Sequence, residues 1–395
     1  MTRYILLRDK AGNWRRPEVP LTARVAPQDP QGGAAPDISV ADLTPDDLRD
    51  AANDPALLTI QPAMPTRLLS PQPMDDLRAA DAVPGWGLHA IGADWTPFDG
   101  SGVRVALLDT GIDATHPAFA GVTITARDFA GTGVADANGH GTHVAGTLLG
   151  RDLGGTRIGV ARGVTDLLVA KAVGDDGAGR SEDLLRAILW ALQEKADVVG
   201  FSLSFDTPAQ VDALTAEGYP QALATSAAVH AYRGNLRICE ILVQMIGCGE
   251  VPLILGAVGN DSLRTIGPEF ETGPAAPTCA EGILAIGACT QGETGLAAAP
   301  FSNTGAALVA PGTGIISAGL GGGLRTLNGT SMAMAHTAGI AALWAQKRRE
   351  DGKQITARSL AATLIRTASR APLSQEASPR DCGAGLVQAP RGALD

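Results

Sequence analysis

Hydrophobic and polar positions follow two different patterns in this chain of 395 residues, and the change falls near Gly102. After it, short and nearly continuous apolar runs such as Val103–Leu108 and Val251–Val258 alternate with segments whose apolar residues recur every three or four positions. Continuous runs are typical of parallel strands covered on both faces, and the longer period is typical of helices. The main part of the chain is therefore predicted to be a doubly wound α/β fold, with a mostly parallel sheet and helices on both faces.

The residues before this change show a weaker, mixed pattern. Short strands are predicted at Tyr4–Leu7, Ile38–Leu43 and Ala56–Ile60, and a helix with an N-capping threonine is predicted to start at Thr44. Several prolines between residues 62 and 73 predict a tether. We therefore predict a small α+β N-terminal module with its tether at residues 1–80, followed by one α/β domain at residues 81–395.

Composition and charge exclude several classes of protein. The net charge of -10 and the pI near 5.1 argue against nucleic acid or an anionic membrane as a partner. No apolar run approaches the roughly 18 residues that a membrane span needs, and the charged residues Arg3 and Arg8 interrupt the start of the chain. Five cysteines without metal-ligand spacing are typical of free thiols. These features predict a cytoplasmic protein.

One serine stands in a position suited to nucleophilic chemistry. Ser331 follows a turn of small residues and begins a run that is apolar on all sides, as in a buried helix. A serine needs a base and an acid that orients the base, and Asp109 and His140 fit these roles, each beside glycines. An oxyanion also needs donors, which the Ser331 backbone N–H and the Asn260 amide would supply.

The segments around these residues resemble the subtilases, the subtilisin-like serine peptidases. Three blocks carry the resemblance, in the order acid, base, nucleophile: Val105–Asp113, Asn138–Thr147 and Asn328–Ala333. Ala257–Asn260 resembles the oxyanion segment of that family, and the likeness extends over roughly residues 86–390. The resemblance implies peptide-bond hydrolysis by acylation of Ser331 and deacylation by water.

The resemblance also implies how a polypeptide substrate would bind. An extended peptide would pair with two strand edges, and pockets beside them would favour an apolar residue before the cut. Ser204 replaces the glycine that is usual in the family, and its side chain is expected to narrow one pocket. The substrate-binding residues predicted in this way are Val173, Gly177, Ala178, Gly179, Ser202, Leu203 and Ser204.

Three further expectations rest on the resemblance. The N-terminal module is similar to an inhibitory propeptide, so the chain would carry its own intramolecular inhibitor. An insertion at about residues 205–250 would form either a wall near the cleft or a surface or oligomer contact. The tight calcium site of secreted relatives lacks its ligands at Ala118 and in the loop at residues 151–157, so no metal ligand is assigned and no cofactor is required, although a weak structural calcium stays open.

The sequence leaves other functions open beside a general endopeptidase. The same chemistry would serve a peptidase that matures one dedicated precursor, or an enzyme that passes the acyl group to an amine. A non-catalytic peptide-binding protein is disfavoured because all three catalytic residue types and Asn260 are present. A nucleotide-binding domain is disfavoured because no glycine-rich phosphate loop follows the first strand of the main domain.

Overall fold

A computed structural model describes residues 2–12, 36–73, 85–247 and 252–392 of the chain. The predicted boundary at residue 80, Cys248 and the first residue of the strand predicted at Val251–Val258 lie outside these ranges. Within them the predicted doubly wound α/β fold is confirmed, since a mainly parallel sheet carries helices on both of its faces.

The N-terminal residues form a three-stranded antiparallel sheet of strand order β2-β1-β3 with one short helix. Ile5 and Leu7 of the central strand are fully buried. Thr44 caps the helix by accepting a hydrogen bond from the backbone N–H of Asp47 at 3.2 Å. The elements are β1 at Thr2–Asp9, β2 at Pro36–Leu43, α1 at Pro45–Ala51 and β3 at Leu57–Pro62.

The rest of the chain forms thirteen strands and eight α-helices within the described ranges. The strands, in chain order, are β4 at Pro65–Leu68, β5 at Arg104–Asp109, β6 at Thr123–Asp128, β7 at Asp166–Lys171, β8 at Ala178–Arg180, β9 at Val198–Phe201, β10 at Leu203–Phe205, β11 at Leu253–Ala257, β12 at Ile283–Gly292, β13 at Gly295–Ala298, β14 at Leu308–Pro311, β15 at Ile315–Ala318 and β16 at Leu324–Leu327. The α-helices are α2 at Trp86–Ala90, α3 at His140–Leu149, α4 at Ser181–Gln193, α5 at Thr207–Ala216, α6 at Gln221–Gly247, α7 at Thr330–Glu350, α8 at Ala357–Thr367 and α9 at Pro379–Cys382.

The main sheet has the strand order β13-β12-β11-β9-β5-β7-β6, and β14 also pairs with β12. All of these pairs are parallel except β12 with β13. Alternate residues of β5 enter two separate cores: Val105 and Leu107 pack with α3 and α7, whereas Ala106 and Leu108 pack with α4 and α6. Because β5 is central and covered on both faces, its carboxyl end is a fixed point for the residue that follows.

A second, smaller sheet lies apart from the main one in the strand order β10-β4-β8. Both pairings are antiparallel, so β4 is the middle strand. The proline-rich stretch predicted to be a tether therefore contains a strand: Pro62 ends β3, and Pro65 begins β4. Prolines at strand ends remove no needed hydrogen bond, which is why the sequence pattern concealed this strand.

The region predicted as an insertion forms α5 and α6. Asn235 on α6 donates hydrogen bonds to the carbonyl of Pro62 at the end of β3 and to the carbonyl of Ala231. Helix α6 therefore contacts the N-terminal sheet. No helix within the described ranges is both long enough and apolar enough to cross a membrane.

Candidate active site

The residue predicted as the acid ends the central strand β5. Asp109 is fully buried, and its Oδ1 accepts hydrogen bonds from the Thr110 backbone N–H at 2.8 Å and from His140 Nδ1 at 2.7 Å. His140 is the first residue of α3. Gly141 follows it, and a Cβ there would lie 2.2 Å from the Gly111 carbonyl oxygen. Only glycine lets the start of α3 approach the end of β5 closely enough for this hydrogen bond.

A second buried carboxylate holds the turn that carries His140. Asp136 Oδ1 accepts from Thr110 Oγ1 and from the backbone N–H groups of Asn138 and Gly139, while Oδ2 accepts from the N–H and the hydroxyl of Thr142. Sequence reasoning did not single out Asp136. An Asp four residues before the histidine was the available signal, but its role depends on contacts that only the fold creates.

The residue predicted as the nucleophile lies in the first turn of α7. Ser331 is fully buried, and its Oγ lies 3.5 Å from the carbonyl oxygen of Leu69. His140 Nε2 has no hydrogen-bond partner among the described residues. The hydrogen bond between a nucleophile and its general base is often long outside the reacting complex. The acid–base hydrogen bond is therefore formed, while the serine hydroxyl is close to a peptide carbonyl.

Asn260 lies beside the same carbonyl and has a fixed orientation. Its Oδ1 accepts from the backbone N–H and the hydroxyl of Thr330, both at 2.9 Å. This leaves Nδ2 to donate to the carbonyls of Ser70 at 3.0 Å and of Leu69 at 3.4 Å. Thr330 is a second residue that the sequence did not single out, although it directly precedes the predicted nucleophile.

The residues predicted to bind substrate surround β4, a segment of the chain itself. The backbone N–H of Leu69 donates to the Ser202 carbonyl at 3.0 Å, and that of Leu68 donates to the Gly177 carbonyl at 2.8 Å. Ala178 and Gly179 of β8 pair with one side of β4, and Leu203 and Ser204 of β10 pair with the other side. Val173 forms an isolated antiparallel bridge with Gly179 of β8, and it lies in the same hydrophobic cluster as Leu68 of β4.

The hydroxyl of Ser204 is hydrogen-bonded to the backbone. Ser204 is 3% exposed, and its Oγ donates to the carbonyl of Phe205 at 3.0 Å.

Asn328 binds the segment that follows β4. Its carbonyl accepts a hydrogen bond from the Gln72 N–H at 2.9 Å. The Asn328 Oδ1 accepts from the Gly314 N–H at 2.7 Å, which orients this side chain. The sequence placed Asn328 only in the turn before Ser331.

Two other histidines near the site are structural. Burial, with a contribution from nearby His140, lowers the pKa of His143 to about 3. Its Nε2 lies 3.0 and 3.1 Å from the carbonyls of Ile315 and Arg325, which ties α3 to the hairpin of β15 and β16. Burial also lowers the pKa of His336 to about 4, and its Nδ1 donates to the Met332 carbonyl. Both rings are therefore neutral near pH 7.

Side chains that could bind a metal ion do not cluster within the described residues. In the part of the chain that the structure describes, no group of three or more His, Cys, Asp or Glu side chains is placed to hold a metal ion. Cys239, Cys279, Cys289 and Cys382 are free thiols, as the sequence predicted. Burial raises the pKa of the Cys239 thiol to about 12, so this sulfur is inert near neutral pH.

Comparison with known proteins gives a consistent result. The Subtilase family profile matches residues 100–385. The chain is similar to an intracellular serine protease of Paenibacillus polymyxa, with 32% identity over 304 residues that cover 75% of this chain and 81% of that protein. It is also similar to subtilisin-like protease 6 of Arthroderma benhamiae, with 30% identity over 68% of this chain and 59% of the relative.

A further relative is subtilisin-like protease 1 of Trichophyton verrucosum, with 27% identity over 75% of this chain and 66% of that protein. The chain thus spans only 59% and 66% of the length of these two fungal proteins. The family match covers well over half of the chain and includes every residue predicted to act in catalysis. The chain therefore belongs to the subtilase family and is a subtilisin-like serine peptidase.

Proposed function

We propose that this peptidase is an endopeptidase that cuts polypeptides through Asp109, His140 and Ser331 and an acyl-enzyme intermediate. The observation that carries the proposal is the peptide segment in the cleft. The carbonyl oxygen of Leu69 lies 3.5 Å from Ser331 Oγ and 3.4 Å from Asn260 Nδ2. A peptide bond held against a hydroxyl and an amide donor is the arrangement that acyl transfer needs.

In the proposed reaction, Ser331 Oγ attacks the carbonyl carbon of the residue before the cut, and His140 Nε2 takes the hydroxyl proton. Asp109 accepts the Nδ1–H of His140 and stabilises the imidazolium that forms. The negative oxygen of the tetrahedral intermediate receives hydrogen bonds from Asn260 Nδ2 and from the Ser331 backbone N–H, one of the free donors at the start of α7. His140 then gives its proton to the leaving amine, and water releases the acyl group. These steps involve no cofactor.

We also propose that the N-terminal module, with a boundary near residue 80, is an intramolecular inhibitor, and that Leu69–Ser70 is the bond presented to the nucleophile. Strand β4 supports this proposal because it pairs with β8 and β10, the strands proposed to bind an extended substrate. Outside the cleft, Arg3 Nε lies 2.6 Å from Glu182 Oε1, and the Met64 N–H donates to Ser181 Oγ at 3.0 Å. Ser181 is the first residue of α4, so this contact joins the N-terminal segment directly to the start of that helix.

The test is incubation of the full chain at neutral pH, followed by intact mass measurement and treatment with a serine-directed phosphonate. We expect a new N-terminus at Ser70, labelling at Ser331, and hydrolysis of added peptides. Ser331→Ala should stay intact and lose about 10⁶ in kcat, the size of the loss known for the nucleophile of subtilisin. Ser101→Ala, which changes an exposed turn serine, is the matched control.

Two results would overturn these proposals separately. If no peptide is cut and the phosphonate does not label Ser331, the endopeptidase proposal fails. If peptides are cut while the N-terminal module remains attached and does not slow the reaction, only the inhibitor proposal fails. Product analysis in the presence of an added amine distinguishes hydrolysis from acyl transfer.

We further propose that the enzyme acts inside the cell. The support is the name of the similar protein from Paenibacillus polymyxa, an intracellular serine protease. Cell fractionation with an antibody to the native chain tests this, and recovery of the protein from the medium of intact cells would contradict it.

A further inference from the structure

We propose that Asp261 selects substrates that carry a cationic side chain at the third residue before the cut. This inference rests on the proposed function, because it takes β4 as the stand-in for a substrate. If the bond after Leu69 is the one cut, Leu69 is the first residue before the cut and Arg67 is the third. Arg67 Nη2 lies 2.6 Å from Asp261 Oδ1.

The position of Arg67 is set by its backbone. It pairs with Ala178 of β8 on one side and with Ser204 of β10 on the other. A strand held from both sides cannot slide by one residue without exchanging the faces of its side chains. Thr66 and Leu68 are buried, whereas the Arg67 side chain is 40% exposed and reaches out to Asp261. Any substrate bound in this register would bring its third residue to the same carboxylate.

Asp261 is held in place by contacts within the main domain. Its backbone N–H donates to Asn303 Oδ1 at 2.9 Å, and its Oδ2 accepts from Asn303 Nδ2 at 3.3 Å. Asn303 is itself 1% exposed and donates to the Val258 carbonyl. One carboxylate oxygen is thus engaged within the protein, while Oδ1 faces the cleft. Such a fixed acceptor loses less side-chain freedom on binding than a free surface carboxylate would.

The residue before Asn260 is a glycine, which allows Asn303 to approach the backbone closely. Gly259 has φ of +113°, and a Cβ there would lie 2.4 Å from Asn303 Nδ2. Glycine is therefore required both for the turn and for the close approach of Asn303. The same short segment orients the amide donor for the oxyanion and the carboxylate that contacts Arg67, so selection at the third residue is built beside the reacting bond.

The inferred substrate class is an extended polypeptide with an apolar residue before the cut and an arginine or lysine two positions earlier. Leu69 is 1% exposed, which fits the apolar part. Arg67 and Asp261 are both more than a third exposed, so solvent screens their attraction. We therefore expect a preference in kcat/KM of only about threefold to fivefold for a cationic over a neutral residue.

The test compares matched peptides spanning residues 64–73 that differ only at the position of Arg67, which is Arg, Lys, Gln or Glu. The enzyme is the full chain after self-processing, with active sites counted by phosphonate titration. The wild type should prefer Arg and Lys over Gln, and Gln over Glu, and the preference should shrink in high salt. Asp261→Asn should bring the ratios close to one, and Asp261→Lys should favour Glu. Asp152→Asn, an equal charge change in an exposed loop, should keep the wild-type ratios.

Equal kcat/KM for the Arg and Glu peptides in the wild type, or an unchanged preference in Asp261→Lys, would overturn the role of Asp261 while leaving the peptidase intact. If no peptide is cut and no active site is titrated, the proposed function itself fails. If Asp261→Lys does not fold, the Asp261→Asn ratios decide, because asparagine can keep an acceptor oxygen for Asn303 while removing the charge.

Discussion

Helices α3 and α7 and the N-terminal sheet are held in place in different ways. All residues of α3 and most residues of α7 are buried, so packing fixes His140 and Ser331. The N-terminal sheet is held differently: Ile5, Leu7 and Ile38 share one hydrophobic cluster with residues of α4 and α6. Polar contacts, such as Arg3 with Glu182, and the pairing of β4 add to this attachment. The comparison teaches that the residues proposed to react lie on helices enclosed by the core, whereas the segment proposed to cover them is attached through one face of a small sheet and through the pairing of β4.

The largest effect should come from the core side of this comparison. Asn260→Ala removes the amide that faces the Leu69 carbonyl, and kcat should fall by about 10²–10³, the size known for the corresponding donor of subtilisin. Steady-state kinetics with peptides measures it. Asn260→Asp is the matched variant, since it keeps an acceptor for Thr330 but has no N–H to donate. An unchanged kcat in both variants would mean that the donor lies elsewhere.

A smaller effect is expected from the carboxylate that holds the His140 turn. In Asp136→Asn the amide nitrogen cannot accept hydrogen bonds, so at least one buried donor of Thr142 or of the turn loses its partner. The free energy of unfolding should fall by about 1–3 kcal/mol, and kcat should fall with it. Denaturant unfolding measures the stability, and steady-state kinetics measures kcat. Asp152→Asn is the control, because Asp152 pairs with Arg162 on the surface. Full stability in Asp136→Asn would show that the turn is held by packing alone.

The smallest effect should come from the attached side. Arg3→Ala leaves the buried carboxylate of Glu182 without its close partner, and it should weaken docking of the N-terminal sheet by about 1 kcal/mol because Arg3 itself is 42% exposed. Before processing, the initial rate of peptide hydrolysis should then rise about fivefold.

Arg8→Ala is the control for this change, since Arg8 pairs with Asp54 inside the N-terminal sheet. If Arg8→Ala raises the initial rate as much as Arg3→Ala does, the cause is loss of the sheet's own structure rather than weaker docking.

The sequence predicted the parts of the molecule whose information is local. The apolar run at Val103–Leu108 and the glycine-flanked Asp109 and His140 predicted a strand end and a helix start, and the fold has both there. The sequence did not predict β4, because its hydrogen bonds are made to strands more than a hundred residues away and its prolines are typical of a linker. The contacts of Asp136, Thr330 and Asn303 were also missed, since a side-chain hydrogen bond leaves no periodic pattern in a sequence.

Strand β4 fills the space between β8 and β10 from within the same chain. If it is the inhibitor, the fraction of inhibited enzyme is the same in a dilute and in a concentrated sample. The local concentration of a tethered segment does not depend on how many molecules are in solution. The opening event is then first order, and the lag before activity should have the same length at every enzyme concentration until released segments and free enzyme begin to meet. Once β4 has dissociated, β8 and β10 expose two unpaired backbone edges. A substrate and the released N-terminal module would then compete for the same binding site.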